Sequence, residues 1–158
     1  MAHTKAGSAS YRLSYSLIQF RKIPLMKTDQ QILNELKNAT EGLLFLSESD
    51  HPFDIVFWNG QAKLNHEFLC AQAGKPPQSP IGEQNVDDFF RNSVSEPAWK
   101  KGERLNIARS YQALVRLLKS ELADIRIYRI GRTHITVFII GKGPNGNWMG
   151  LSTKTTET

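Results

Sequence analysis

The sequence contains a single cysteine, Cys70, among its 158 residues. One thiol cannot form an intramolecular disulfide, and it excludes a zinc site built from four cysteines. A reducing compartment fits this count, although a secreted protein without disulfides would look the same; we expect the cytoplasm. The sequence also lacks any apolar run near the ~18 residues that a membrane-spanning helix needs, so it predicts no membrane partner.

Acidic residues are missing from the first 27 positions, which carry five of the 20 basic residues. The rest of the chain has equal numbers of acidic and basic residues. A neutral body lacks the basic surface that binds nucleic-acid phosphates, so we predict no direct nucleic-acid partner. These positions also lack the apolar stretch of a secretory signal. We expect residues 1–27 to be a disordered extension, either an organellar transit peptide or translated sequence upstream of a start at Met26.

One domain is expected over residues 28–158, and its helices show an apolar residue at every third or fourth position. Thr28 and Gln31 form a capping-box pattern at the start of the first helix, which Gly42 is expected to end. The same pattern predicts two shorter helices and one long helix, over 64–72, 85–93 and 104–122.

Strands are predicted where β-branched and aromatic residues cluster between turn signals. The run LLFL at 43–46 is expected to be buried, and residues 73–82 (AGKPPQSPIG) are expected to form a loop. Short glycine-containing connections between the last three strands favour an antiparallel meander. The predicted fold class is therefore α+β, with helices packed on an antiparallel sheet. The predicted strands cover 53–58, 125–130, 134–140 and 147–155.

His66 and Cys70 are four residues apart on a predicted helix, the spacing that places a base and a thiol on one helix face. An enzyme that uses this pair, or a pair of histidines, is one hypothesis. Lone cysteines more often pack as small apolar groups, so we favour a structural role for Cys70. An enzyme would be sensitive to thiol modification, and we predict that this protein is not an enzyme.

Metal and phosphate motifs are incomplete. The string NHEFL holds the His-Glu pair of a zinc-protease helix, but Cys70 stands where the second histidine would be. His51 and His134 each lack a second histidine at ligand spacing. The glycine-rich string GKGPNGN lies between strands and lacks the following helix of a phosphate loop. We expect no cofactor and no metal in the free protein.

Three features are candidates for a binding surface. SESD at 47–50 places Glu48 at a polar corner after an apolar run, although helix capping or a solvated turn would also account for it. Trp99 lies in a polar, proline-flanked loop, either folded back on the core or exposed as an interface residue. A strand-like stretch runs to Glu157 and Thr158, where most domains have a dispensable tail. We therefore ask whether the terminal carboxylate belongs to the working surface.

Several long strings resemble the nuclease A inhibitor family of cyanobacteria. They are EGLLFLSESDHPF, the PAW loop, YRIG, VFIIG and the closing GLSTKTTET. The resemblance runs from about Thr28 to the end of the sequence and is loose between residues 61 and 84. It implies an α/β/α sandwich related to plant pathogenesis-related proteins.

The resemblance also implies a function without catalysis. Members of this family bind a magnesium-dependent, sugar-non-specific endonuclease of the ββα-metal type and block its active site in a 1:1 complex. Glu48 then matches the glutamate presented to the nuclease, Trp99 the loop tryptophan, and Thr158 the terminal threonine that approaches the catalytic metal. We add Glu157, next to Thr158, to this partner-binding set and expect a monomer when the protein is free.

One position departs from the family pattern. The residue before the loop tryptophan is an aspartate in the family, whereas this sequence has Ala98. A polar contact to the nuclease is therefore lost or supplied elsewhere. The alternative hypothesis is a diverged protein-binding module of the same fold whose partner is not a nuclease.

Overall fold

The computed structural model of the protein describes residues 27–45 and 51–157. This part of the chain forms four helices and seven strands. None of these helices is long and apolar enough to cross a membrane. In chain order the elements are α1 (Asp29–Thr40), β1 (Leu44–Phe45), β2 (His51–Pro52), β3 (Asp54–Trp58), α2 (His66–Gln72), β4 (Ile81–Gln84), α3 (Val86–Val94), α4 (Glu103–Glu121), β5 (Ala123–Ile130), β6 (His134–Lys142) and β7 (Trp148–Thr156).

Helix α1 begins with the predicted capping box. The Thr28 hydroxyl accepts a hydrogen bond from the Gln31 amide, and the Gln31 side chain accepts one from the Thr28 amide. The helix ends at Thr40, and Gly42 follows with a φ of 77°. A left-handed residue just after a helix is the usual place for glycine, so the predicted start and stop are both confirmed.

The main sheet has five strands in the order β3-β7-β6-β5-β4, and every neighbouring pair is antiparallel. Strands β5, β6 and β7 are adjacent in sequence and in space, which confirms the predicted meander. Strands β3 and β4 form the two edges of this sheet. Strands β1 and β2 form a separate two-stranded sheet, in which Phe45 pairs with His51.

Apolar side chains fill both faces of the main sheet. Helices α1, α3 and α4 cover one face, where side chains such as Leu36, Phe90 and Leu114 belong to one buried core with Ile139 of β6. Helix α2 covers part of the other face and contributes Leu69 and Cys70 to a smaller core. Helices on both faces of an antiparallel sheet confirm the predicted α+β class and are compatible with an α/β/α sandwich.

Two local expectations were wrong. Residues 73–82 were expected to form a loop, but Ile81 and Gly82 begin the short edge strand β4. Four residues that contain a glycine and no clear alternation are too few to give a strand signal. The run at 43–46 is not buried throughout, because Leu43 is buried whereas Leu44 is 42% exposed. Strand β1 starts at Leu44, where neighbouring side chains point in opposite directions.

The two ends of the main sheet differ in what they carry. At the upper end, the turn between β6 and β7 joins Lys142 to Trp148. At the lower end, β5 turns into β6 and β7 finishes, so Ile130, His134 and Thr156 lie there. Helix α4 leads directly into β5 at the upper end, and its 19 residues span about 28 Å. Its first residue, Glu103, therefore lies at the lower end.

Candidate functional site

Three segments meet the solvent at the lower end. The first is the loop of residues 95–102 that precedes α4. The second is the pair Phe45 and His51, which flanks residues 46–50. The third is Glu157, directly after β7. Glu48 and Thr158 themselves lie outside the described residues, so their contacts with a partner stay predictions.

Trp99 is the most exposed large apolar side chain in the described part of the chain, with 66% of its surface accessible. It does not fold back as a lid on the core. Burying so large an apolar ring against a partner would remove a substantial area from water. The exposed position is therefore the one that an interface residue requires.

Lys100 holds the loop around Trp99. Its ammonium group donates hydrogen bonds to the carbonyl oxygens of Asn92 (3.1 Å) and Ser95 (2.9 Å), at the C-terminal end of α3. The same nitrogen lies 5.7 Å from the centroid of the Trp99 ring. The Lys100 amide also donates to the carbonyl of Pro97 at 2.9 Å, which closes a turn around the tryptophan. A cation at this distance from an indole ring attracts it, so Lys100 restrains both the loop and the ring.

Glu96 ties the first part of the loop to helix α4. Its carboxylate accepts hydrogen bonds from Gln112 (2.9 Å) and Arg109 (3.2 Å). Gln112 also donates to the carbonyl of Val94 at 2.8 Å. These two donors, Gln112 first, lower the pKa of Glu96. Because the folded pKa lies below the ordinary value of 4.5, this contribution to stability is present at neutral pH and is lost as the pH falls through the acidic range.

We expect Glu96→Gln to loosen the loop without unfolding the domain. The amide keeps one acceptor but loses the charge that attracts Arg109, and exposed ion pairs of this kind contribute little to the stability of the whole domain. Amide hydrogen exchange of Lys100, whose N–H is bonded to Pro97, should become faster, whereas exchange in the middle of α4 should not change. Glu103→Gln removes the same charge near the loop and serves as the control. Equal exchange rates at Lys100 in all three proteins would contradict the restraint.

The residues that flank 46–50 are held by contacts on both sides. Phe45 stacks on Phe89 of α3 with ring centroids 4.8 Å apart. The Thr153 hydroxyl of β7 donates to the carbonyl oxygen of Pro52 at 3.0 Å. The Tyr111 hydroxyl of α4 donates to the carbonyl oxygen of Leu44. Strands β1 and β2 are therefore held in position at the lower end.

Glu157 is held through its backbone and its side chain. Its amide donates to the carbonyl oxygen of Thr133 at 2.9 Å, one step beyond the last pair of β6 and β7. Its carboxylate, in a side chain that is 54% exposed, forms an ion pair with Arg129 of β5. Burial lowers the pKa of the Arg129 guanidinium, yet an arginine stays charged and needs an anionic partner there. Glu157 is therefore held at the lower end of the sheet by two contacts.

The enzymatic and metal hypotheses find little support in the geometry. Cys70 is fully buried in the smaller core with Leu69, and its thiol donates a weak hydrogen bond to the Ser79 carbonyl oxygen at 3.9 Å. His66 on the same helix is exposed. Within residues 27–45 and 51–157, no group of three or more histidine, cysteine, aspartate or glutamate side chains is placed to hold a metal ion. Cys70 thus packs as a small apolar group.

Burial of Cys70 predicts a slow thiol reaction. In the native protein a maleimide should label it at least about a thousandfold more slowly than in denaturant, because the thiol is reached only through unfolding or large opening. The variant Ser110→Cys, which adds a thiol at an exposed position of α4, is the control and should react fast at that site. Rapid native labelling of Cys70 would revive the thiol hypothesis.

Some residues of the site gave no signal in the sequence. Lys100, Gln112 and Arg129 hold the loop and the end of β7, yet each is an ordinary polar residue in the sequence. Their partners are 5, 18 and 28 residues away, distances at which neither helix nor strand spacing predicts contact. Trp99 was found because an apolar ring in a polar loop stands out by itself.

The comparisons with known proteins give one clear result. A search of curated protein sequences returned no significant match. A family model described as nuclease A inhibitor-like protein matches residues 30–158. The match covers most of the chain, including all three segments at the lower end, and it suggests an inhibitor rather than an enzyme. The chain therefore belongs to the nuclease A inhibitor-like family.

Proposed function

We propose that this protein binds a magnesium-dependent, sugar-non-specific endonuclease in a 1:1 complex and blocks its active site through the lower end. Trp99 supplies apolar contact area, Glu48 and Glu157 supply negative charge, and Thr158 approaches the catalytic metal of the nuclease. The metal belongs to the partner, and the inhibitor acts by occupying the site.

The arrangement at the lower end is the observation that carries this proposal. The Trp99 loop, the residues flanking 46–50 and the end of β7 come from three distant parts of the chain and lie at one end of the sheet. Each is restrained by contacts with its neighbours, through Lys100, Phe45 and Glu157 respectively. Restrained segments lose less conformational entropy on binding than free ones, which favours affinity.

The chemistry of a nuclease active site explains why oxygen donors would block it. A Mg²⁺ ion that assists phosphodiester cleavage keeps positions filled by water and prefers oxygen ligands. Thr158 offers a hydroxyl, and as the proposed terminal residue it also offers a carboxylate. Either group can replace a metal-bound water where a substrate phosphate oxygen would lie. Neither contains a phosphorus atom that could be attacked, so no product forms.

Glu48 has a different task in this proposal. Nucleases hold the phosphate groups of DNA or RNA with arginine and lysine side chains, and a carboxylate forms strong, charge-assisted hydrogen bonds with the same groups. Glu48 would therefore pair with one of these arginine or lysine side chains, at the rim of the nuclease site. Glu157 already pairs with Arg129, so its negative charge is partly compensated before any partner binds. We accordingly assign Glu48 the larger electrostatic contribution.

A protein-binding module with a non-nuclease partner is the second candidate, and Ala98 is the observation that favours it. Ala98 is exposed beside Trp99 and offers no polar atom from its side chain, where the family pattern has an aspartate. A partner that lacks a cation facing this position would suit the loop better.

A titration of nuclease activity tests the proposed function. With the nuclease at a concentration well above the dissociation constant, activity should fall linearly and vanish at one equivalent of this protein. The protein alone should not shift DNA in a gel, which separates inhibition from capture of the substrate. Full activity at a large excess of the protein over several nucleases of this class would reject the nuclease proposal and favour the module.

A further inference from the structure

The main sheet is open along strand β3. This strand pairs with β7 on one side, and within the described residues no strand pairs with its other side. Strands of an open edge present unpaired backbone N–H and C=O groups, and natural proteins cover or charge such edges to prevent aggregation. The question is what covers this one.

Apolar side chains mark the same edge. Besides Trp99, the exposed large apolar residues of the described chain are Leu44, Ile55 and Phe57, with 42%, 37% and 47% of their surfaces accessible. Ile55 and Phe57 pair with Leu151 and Met149 of the main core, so both point to the face that α1 covers. Leu44 and Ile55 line a common groove of about 290 Å³. This apolar row is suited to a neighbour with apolar side chains on alternate residues.

A segment with that pattern precedes the described domain. Residues 11–17 read YRLSYSL, in which Tyr11, Leu13, Tyr15 and Leu17 alternate strictly with Arg12 and two serines. Strict alternation over seven residues predicts a strand with one apolar face. The segment lies outside the described residues, and its sequence contains no acid.

The described domain begins next to the open edge. The Asn147 side chain donates to Asp29 at 3.0 Å and accepts from the Gly60 amide at 2.8 Å. One side chain thus bridges the start of α1 and the residue that follows β3 by two positions. Residues 18–26 can span up to roughly 30 Å when extended, so residue 17 can reach the Trp58 end of β3.

Charge favours the same arrangement. With Leu17 at the Trp58 end, Arg12 lies toward the Asp54 end, and Asp54 is exposed. The extension carries only basic charges. The groove beside Leu44 is lined by both Lys37 and Glu41, so the favourable charge pair is that of Arg12 with Asp54. In this arrangement the polar side of the segment, with Arg12, Ser14 and Ser16, faces the same side of the sheet as Asp54. Its apolar side, with the tyrosines and leucines, lies beside Ile55 and Phe57.

We propose that residues 11–17 add to the open edge of β3 as a sixth strand and cover Ile55 and Phe57. The extension, expected to be disordered on its composition, is then a cover for the edge of the folded domain. This inference does not rest on the proposed nuclease partner, because the edge is separate from the Trp99 loop.

Hydrogen exchange in the full chain tests this proposal. The variant Leu13→Lys/Leu17→Lys places two charges on the apolar side of residues 11–17. The variant Ser14→Lys/Ser16→Lys adds the same charge to the polar side of this segment. Exchange at residues 54–58 should be at least about tenfold faster in the leucine variant than in the wild type, and within about twofold of the wild type in the serine variant. Exchange in α4 should be the same in all three proteins, which shows that the domain is folded.

Two results would overturn the proposal. The first is equal exchange at residues 54–58 in the wild type and in both variants. The second is protection that increases with protein concentration and does not depend on the leucines, which would assign the edge to a second copy of the chain. Because no nuclease enters this experiment, its outcome is independent of the inhibitor proposal.

Discussion

Removal of Thr158 is expected to weaken inhibition of the target nuclease by at least about 30-fold, since losing one member of a buried, charge-assisted contact costs about 2 kcal/mol or more. The deletion moves the terminal carboxylate one residue back, to Glu157, whose amide and side chain are both bonded within the domain. The oxygen donors then end short of the partner's metal. The inhibition constant of the wild type and of the deletion variant provides the measurement.

Changes at the same residue separate the two oxygen donors. Thr158→Ala keeps the carboxylate and removes the hydroxyl, whereas two glycines added after Thr158 keep the hydroxyl and displace the carboxylate. If the carboxylate is the metal ligand, only the extension should match the deletion. Glu48→Ala should have a smaller effect of a few-fold, as expected for a charge at the rim of an interface. An unchanged inhibition constant after both the deletion and the extension would contradict metal ligation.

Trp99→Ala is expected to weaken binding by about 30-fold while leaving the stability of the free protein nearly unchanged. A tryptophan buried at the centre of an interface contributes about 2 kcal/mol or more. In the free protein the ring is 66% exposed, and exposed substitutions usually change stability by about 0.5 kcal/mol or less. The inhibition constant and the melting temperature, measured on the same preparation, check both statements.

Two control variants accompany Trp99→Ala. Phe57→Ala removes another exposed aromatic ring, 47% accessible, from β3, away from the loop, and should not change inhibition. Trp99→Phe keeps an aromatic ring and should recover part of the affinity. If Trp99→Ala and Phe57→Ala inhibit as well as the wild type, the loop is not part of the interface.

The secondary structure could be predicted where one local signal decided it. The capping box at Thr28 and the β-branched and aromatic clusters of β5, β6 and β7 each determine an element without help from distant residues. Strand β4 could not be predicted in this way, because its four residues form a strand only through pairing with β5. Leu44 was expected to be buried with its apolar neighbours, yet it lies on the solvent-facing side of β1. Which side of β1 faces solvent depends on the tertiary arrangement and not on the local sequence.

Less of the candidate site than of the fold could be predicted from the sequence. The prominence of Trp99 follows from residue type and loop composition, but its restraint by Lys100 and by the Glu96 and Gln112 contacts depends on how α3 meets α4. The assignments of Glu48 and Thr158 came from the family resemblance. What the fold adds is that their described neighbours, Phe45, His51 and Glu157, lie at the same end as the loop.

The most direct test combines the metal and the final residue in one thermodynamic cycle. The dissociation constant of the nuclease complex is measured for the wild type and for the Thr158 deletion, each with Mg²⁺ and with the metal removed by a chelator. If an oxygen of Thr158 contacts the metal, removal of Mg²⁺ weakens wild-type binding by at least about tenfold and changes binding of the deletion variant by less than about twofold. An equal effect of Mg²⁺ on both proteins would contradict contact between Thr158 and the metal.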